Sequence, residues 1–297
     1  MAKVLSAPGK TFLVGEYLAL VGGPSVLVST KPRFQLIADL IQEGEEATLP
    51  ASSAFAPASP AGRFLSRHER DFRDYRLRFE DPHGGAGGLG ASIAQWALLY
   101  ALKYGVQDQP DWSSILEEYR QCAWSGEGVA PSGADVVAQI HGGITCFDGR
   151  EFRARSLEWN FPNLSFTLVR TGVKLATHEH LKRHQAAPQE ILRACVNEMI
   201  NALETKNEEL AVGAVARNAA ALLESGRTAG HTLEILNGLH KEPWVRGAKG
   251  CGAMGADIVL VLHDLSSTKS VAAWAQAHEL QICGGLPELD RGLRFEP

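Results

Sequence analysis

Residues His83–Ser92 read HGGAGGLGAS, and the fold turns on what this run is for. It contains G-x-G-x-x-G at Gly85, Gly87 and Gly90, the spacing of a dinucleotide-binding turn. Such a unit needs a strand, the glycine turn, a helix, and a second strand ending in Asp or Glu about 20 residues on. The first strand is present, because Tyr75, Leu77 and Phe79 alternate. The helix is present too: Ile93, Trp96, Ala97, Tyr100, Ala101 and Tyr104 recur every three or four residues and Gly105 follows, which predicts a helix over Ala91–Tyr104. The second strand is missing. The chain continues GVQDQPDW, which leaves Asp108 and Asp111 in a loop. The residues therefore speak against a nicotinamide dinucleotide. What survives is the physics of the loop. Glycines let backbone N–H groups approach an anion, and the helix behind them offers free N–H groups and a positive dipole end. Ser92 stands in its first turn, where a hydroxyl can meet a phosphate or a magnesium ion. The loop suits a polyphosphate, although a purely structural turn would read the same if it stood alone.

Outward from this loop, the chain predicts an α+β protein with two sheet-containing halves. Its 297 residues exceed what one core usually covers, and the division falls at the Asn160–Asn163 segment, giving residues 1–160 and 161–297. Lys3–Ser29 reads as several short strands joined by tight turns, with Lys10 in one of those turns, and Phe34–Leu40 as a further strand. Glu43–Arg63 lacks a period and reads as an exposed loop; Ser66–Arg78, dense in both charges, reads as a solvated face or edge strand. Helices are expected at Trp112–Ala123, from Ala134 to the Gly142–Gly143 turn, and near Leu175–His184, Pro188–Thr205, Leu210–Ser225, His231–Leu239 and Ser267–His278. Strands are expected at Ile144–Phe147, Leu164–Arg170, Ile258–Leu262 and Leu280–Cys283.

Composition narrows the function classes. Apolar residues make up 45% and charged residues 21%, and the net charge of −5 is spread along the chain. That is a globular composition, and its charge speaks against nucleic acid as the main partner. Five cysteines without a C-x-x-C pair speak against a zinc site or a disulfide framework and for a reducing, cytoplasmic setting. No leader peptide and no run of about 18 apolar residues is seen, so no membrane partner is expected.

Three further segments carry matching chemistry: APGKTFLVGEY with Lys10, APSGADVVAQIHGG with Asp135 at a helix start, and KGCGAMGAD, a second glycine loop running into a strand. Taken in order with His83–Ser92, they resemble the GHMP kinase superfamily over most of the chain. The G-x-x-x-x-G-K-[ST] motif of P-loop NTPases is absent. Within the superfamily, GKTFLVGEYLAL, VRTGVKLATHEHL and GAMGAD are most similar to the phosphomevalonate kinases. The resemblance implies an N-terminal ribosomal-S5-like domain, a C-terminal ferredoxin-like domain and ATP-dependent phosphorylation of a small, phosphate-bearing substrate by a monomer or homodimer. Mevalonate or another small alcohol is the alternative acceptor, and a nucleotide-binding regulatory protein the alternative class.

The resemblance also implies roles. Gly85, Gly87, Gly88, Gly90, Ala91 and Ser92 would wrap the ATP phosphates, with Ser92 beside Mg2+. Lys10 would face the transferring group, and Asp135 would orient the acceptor or act as general base toward an alcohol. A phosphate acceptor is already mostly ionised at neutral pH and needs cations instead. Lys174 is the first candidate, followed by Arg170, His178 and His180, with Thr171, Thr177, Gly252 and Gly255 as further acceptor contacts. Glu16 would pair with Lys10 or cap a turn. Four positions depart from the family pattern: Ala91 replaces the first serine of GLGSS, Trp124 stands where mevalonate kinases carry a metal-binding glutamate, and Met254 and Ala256 replace glycines.

Overall fold

The computed structural model describes residues 2–41, 54–173 and 188–297; the helix expected near Leu175–His184 lies outside them. The N-terminal run forms two long strands rather than several short ones. β1 spans Lys3–Val14 and β2 spans Pro24–Leu40, joined by a single-turn helix α1, Glu16–Ala19. β1 from Leu5 on and the first half of β2 are buried without a break, so their residues run on without alternating, while the second half of β2 alternates as expected, with Phe34, Leu36 and Ala38 buried. Gly9 breaks the register, not the strand: the β1–β2 pairing shifts between Ala7 and Gly9, and again, without a glycine, between Phe12 and Val14. Lys10 thus sits on a strand, not in a turn.

β2 organises the first sheet. It pairs with β1 throughout, with β4 (Ile144–Asp148) through its first half and with β3 (Tyr75–Glu80) through its second. β5 (Arg153–Leu157), which carries no strand signal in the sequence, adds an edge. Helices α2 (Pro60–Arg67), α3 (Glu69–Phe72), α4 (Ala91–Tyr104), α5 (Trp112–Ala123) and α6 (Ala134–His141) complete this part. Residues 43–53 of the expected loop lie outside the described residues. α2 takes up its last four residues, Pro60–Arg63, and α2 and α3 occupy the first part of Ser66–Arg78, while Tyr75–Arg78 fall on β3, as the edge-strand reading expects. The Ser59 side chain accepts from the Gly62 N–H, Pro60 opens the helix, and Phe64, Leu65 and Phe72 are buried.

Sheet membership changes between Leu157 and Leu164. The second sheet is antiparallel, ordered β7–β8–β6–β9, from β6 (Leu164–Arg170), β7 (Val245–Cys251), β8 (Ile258–Asp264) and β9 (Gln281–Gly285). One face packs Leu168, Ile258 and Leu260 into the core that contains α7 (Gln189–Thr205) and α8 (Glu208–Glu224). The other packs Val169, Val259 and Val261 against α9 (Gly230–Leu239) and α10 (Thr268–Ala277). Burial on both faces explains the unbroken IVLVL of β8. The chain then returns to the first sheet, where β10 (Arg294–Phe295) pairs with β1. Arg33 clasps this return, donating to Asp290 Oδ2 at 2.8 Å and to the Arg291 and Gly292 carbonyls at 2.8 Å each. Among the described residues no helix is long and apolar enough to cross a membrane.

Candidate active site

The glycine run links β3 to α4 and is tied down at three points. The Asp81 carboxylate accepts from the backbone N–H groups of His83 (2.8 Å) and Gly85 (2.9 Å). Leu89 is buried, and its carbonyl accepts from the Lys10 N–H at 3.1 Å. Gly88 and Gly90 adopt φ of 92° and 88°, in the left-handed region. A Cβ at Gly88 would lie 2.6 Å from Asp257 Cβ, so the two glycine loops abut there and only glycine fits. Gly90 then caps α4 without a side-chain bond, which leaves the first N–H groups of the helix, at Ala91 and Ser92, for a ligand.

α6 begins in the same way. Gly133, at φ 78°, caps it with no side-chain bond, and Asp135 stands in its first turn. Two helix N-termini with glycine caps therefore serve one cavity of about 350 Å³, lined by Lys10, Asp135, Ser132, Ser92 and residues 85–88 and 90–91; in the second, the Ala134 N–H already donates to Ser132 Oγ at 3.3 Å. Across it, Lys10 Nζ lies 3.1 Å from Asp135 Oδ1, an ion pair without the alignment of a hydrogen bond. Lys10 is only 8% exposed, and its ammonium also lies 5.5 Å from the centre of the Phe12 ring. Gln139 of α6 donates to the Pro8 carbonyl at 2.8 Å, which holds α6 against β1. The expected Lys10, Asp135, Gly85, Gly87, Gly88, Gly90, Ala91, Ser92 and Gly252 thus meet in one cavity.

Other expected residues lie elsewhere. Gly255 is buried against Gly250, away from the lining. The Thr171 hydroxyl is engaged with the Ala256 carbonyl and bonds the second glycine loop instead of facing the cavity. Arg170 donates to Gln281 Oε1 at 3.0 Å, also outside the lining. Glu127 is exposed, and its carbonyl accepts from the Trp124 indole N–H at 2.7 Å. Lys174, Thr177, His178 and His180 lie outside the described residues. Glu16 does line the cavity but neither pairs with Lys10 nor caps a turn: its Oε1 accepts from Lys249 Nζ at 2.5 Å. Lys249 is fully buried. Burial opposes its charge, yet the neighbouring Cys251 and Glu16 hold the ammonium above its ordinary pKa.

Several lining residues were given no role beforehand, although Met254 stood out as a departure from the second glycine motif. Phe12, Tyr17, Leu20 and Met254 form an apolar wall with Arg227 beside it. The Tyr17 hydroxyl accepts from the Met254 N–H at 3.1 Å. Burial raises the Tyr17 pKa, a rise that the Met254 bond opposes. Tyr17 was legible as the neighbour of Glu16 in GEY; Arg227, between α8 and α9, had no local mark.

This architecture has counterparts among solved structures. The mevalonate kinase of Methanococcus jannaschii aligns with a TM-score of 0.71 over 97% of this chain and 98% of its own, at 14% identity. The phosphomevalonate kinase of Streptococcus pneumoniae, solved with phosphomevalonate and AMPPNP, aligns with a TM-score of 0.72 over 95% and 99%, at 15% identity. The chain thus has the fold of the GHMP kinase superfamily, as its motifs implied. In sequence it is 26% identical over 286 residues to the mevalonate kinase of Aeropyrum pernix, covering 85% of this chain and 83% of that one. No protein-family model matches the chain.

Proposed function

We propose that the protein is an ATP-dependent small-molecule kinase that phosphorylates phosphomevalonate to diphosphomevalonate in isoprenoid precursor synthesis. One observation carries the kinase reading: the Lys10–Asp135 pair stands in the same cavity as the glycine run and two glycine-capped helix N-termini. When bound, ATP with Mg2+ supplies the γ-phosphoryl group and spreads its charge over the metal. The N–H groups of Gly87, Gly88, Gly90, Ala91 and Ser92 are suited to donate to phosphate oxygens. The Lys10 ammonium offsets charge on the transferring group, and the Asp135 carboxylate positions the acceptor. Among the described residues no group of three or more His, Cys, Asp or Glu side chains could hold a metal. A Mg2+ ion at Ser92 and Asp135 would therefore take its remaining ligands from phosphate and water, as Mg2+ commonly does. In this reading residues 1–160 form the nucleotide-binding domain and residues 161–297 the second domain.

The GEY segment and the VRTGVKLATHEHL run favour phosphomevalonate. The Aeropyrum relative favours mevalonate as the second reading. The test is ADP release with phosphomevalonate, mevalonate and homoserine as acceptors, for wild type and Asp135→Asn. Turnover with phosphomevalonate, falling about 100-fold or more in Asp135→Asn, is the expected result. Turnover with mevalonate alone would move the acceptor, and none with any acceptor would overturn the kinase reading.

A further inference from the structure

We propose that Met254 sets the size of the acceptor: its thioether side chain closes the apolar side of the acceptor's subsite and discriminates against longer hydrocarbon branches. This rests on the kinase reading above. Among the described residues four non-glycine positions have positive φ: Phe152, Lys206, Met254 and Glu279. Phe152 lies in the turn between β4 and β5, and Lys206 and Glu279 lie just past the ends of α7 and α10, where such residues are ordinary. Met254, at φ 56°, is the one of the four that lines the cavity. Its neighbours Gly252 and Gly255 take φ of 90° and 60° with no side chain to place. A left-handed backbone costs a methionine what it does not cost a glycine. Such residues persist where the surroundings fix them, and they cluster at ligand sites.

The surroundings do fix it. The Met254 N–H donates to the Tyr17 hydroxyl at 3.1 Å, and its carbonyl accepts from the Ala229 N–H at 2.8 Å. Both backbone polar groups are turned to the protein, so what Met254 brings to the cavity is its side chain. There it joins Phe12, Tyr17 and Leu20. The ends of this wall locate it. Phe12 begins it beside the transfer point, its ring centre 5.5 Å from the Lys10 ammonium. The 252–257 turn meets the phosphate loop where Asp257 abuts Gly88, whereas Met254 is tied to α1. Charged groups on this side have partners in the protein: Glu16 accepts from Lys249, and Arg227 lies over the Tyr17 ring and donates to the Ser225 carbonyl at 3.0 Å. The apolar side chains are left to meet the hydrocarbon part of an acceptor. An unbranched thioether adapts to what it meets, so it excludes by the volume it occupies and not by a rigid edge. Each methylene beyond the space left costs an acceptor about 10- to 200-fold.

The experiment is steady-state ADP release by wild type, Met254→Leu and Met254→Gly, with urea midpoints verifying the fold. The acceptors are phosphomevalonate and mevalonate, each beside its homologue with an ethyl group in place of the 3-methyl group. The readout is the ratio of kcat/KM for the methyl over the ethyl compound. The expected ratio is about 10 or more in wild type, similar in Met254→Leu, which keeps a comparable volume, and within about 3-fold of unity in Met254→Gly, with an ATP KM within about 2-fold of wild type throughout. A wild-type ratio near unity, or one that Met254→Gly leaves unchanged, overturns the inference and leaves the kinase reading standing. So does an effect of Met254→Gly confined to the ATP KM. Where no acceptor supports ADP release, the kinase reading fails by itself. Thermal shifts with AMPPNP and each acid then decide: an ethyl homologue that stabilises Met254→Gly but not wild type supports the inference, and equal or absent shifts overturn it.

Discussion

The molecule carries two glycine loops, and they do opposite things with their backbones. In residues 85–92 the loop is pinned through Asp81 and Leu89, and the helix behind it begins without a cap. In residues 250–257 the polar groups are used inward. The Met254 carbonyl accepts from Ala229, the Gly255 carbonyl from the Thr232 hydroxyl at 3.0 Å, and the Ala256 carbonyl from Thr171. Lys249, just ahead of the loop, is locked to Glu16. Met254 occupies φ 56°, a region that favours glycine. Similar compositions thus yield different parts: the first loop presents donors to a ligand, and the second forms a wall.

Breaking the wall at its base has the largest expected effect. Lys249→Met leaves Glu16 buried and unmatched, and urea unfolding is expected to show a loss of about 3–5 kcal/mol. The double variant Glu16→Gln/Lys249→Met recovers part of that loss; no recovery would mean that the two charges act separately. Gly88→Ala tests the seam between the loops. Its Cβ would meet Asp257 at 2.6 Å on top of a left-handed backbone, so a loss above about 2 kcal/mol and weakened AMPPNP binding are expected. Gly84→Ala, at φ 62° with open space around it, loses only the backbone contribution, roughly 1–2 kcal/mol. Equal losses would show that contact between the loops is unimportant.

Met254→Gly sharpens the contrast with a smaller effect. Relief of the left-handed backbone, about 1–2 kcal/mol, opposes the added freedom of glycine, about 0.5–1 kcal/mol. Stability is expected to hold or rise slightly while the cavity widens; a clear fall in the thermal midpoint would refute strain at this position. The smallest effect is a pH dependence on β8, the strand that leaves the second loop. His263 is buried with Nδ1 facing the Asp264 carbonyl (2.9 Å) and Nε2 facing the Thr167 hydroxyl (2.9 Å). Burial lowers its pKa below the ordinary 6.5. The unfolded chain therefore takes up the proton first as pH falls. Stability from the neutral ring is full above about 6.5 and is lost as pH drops toward the lowered folded value, with a slope of at most about 1.4 kcal/mol per pH unit. Urea midpoints at pH 8 and 5 should differ less in His263→Asn than in wild type.

Much of this was legible from local pattern. α4, α5 and β6 have the bounds that spacing and glycine stops predict, and the start of α6 follows its small-residue turn. β7 was not legible: VRGAKGC holds two glycines and two charges, and its place comes from pairing with β8 and from the Lys249–Glu16 pair. β1 was misread as short strands because Gly9 sits at a register shift, where no turn forms, and β2 runs on unbroken from Pro24 through the strand expected at Phe34–Leu40. Arg227 could not be found, because one arginine between two helices resembles any surface arginine until Tyr17 is placed beneath it.

The sequence by itself determined the glycine run, the helix start behind it, and Lys10 and Asp135 as residues to watch. Those features depend on backbone freedom and periodicity within a few neighbouring residues. Only the tertiary structure decided that Lys10 meets Asp135, that Glu16 turns instead to Lys249 across 233 positions, and that Tyr17, Arg227 and Met254 share a wall. Such pairings depend on sheet register and on where burial leaves a charge without water, and no local stretch of chain encodes either.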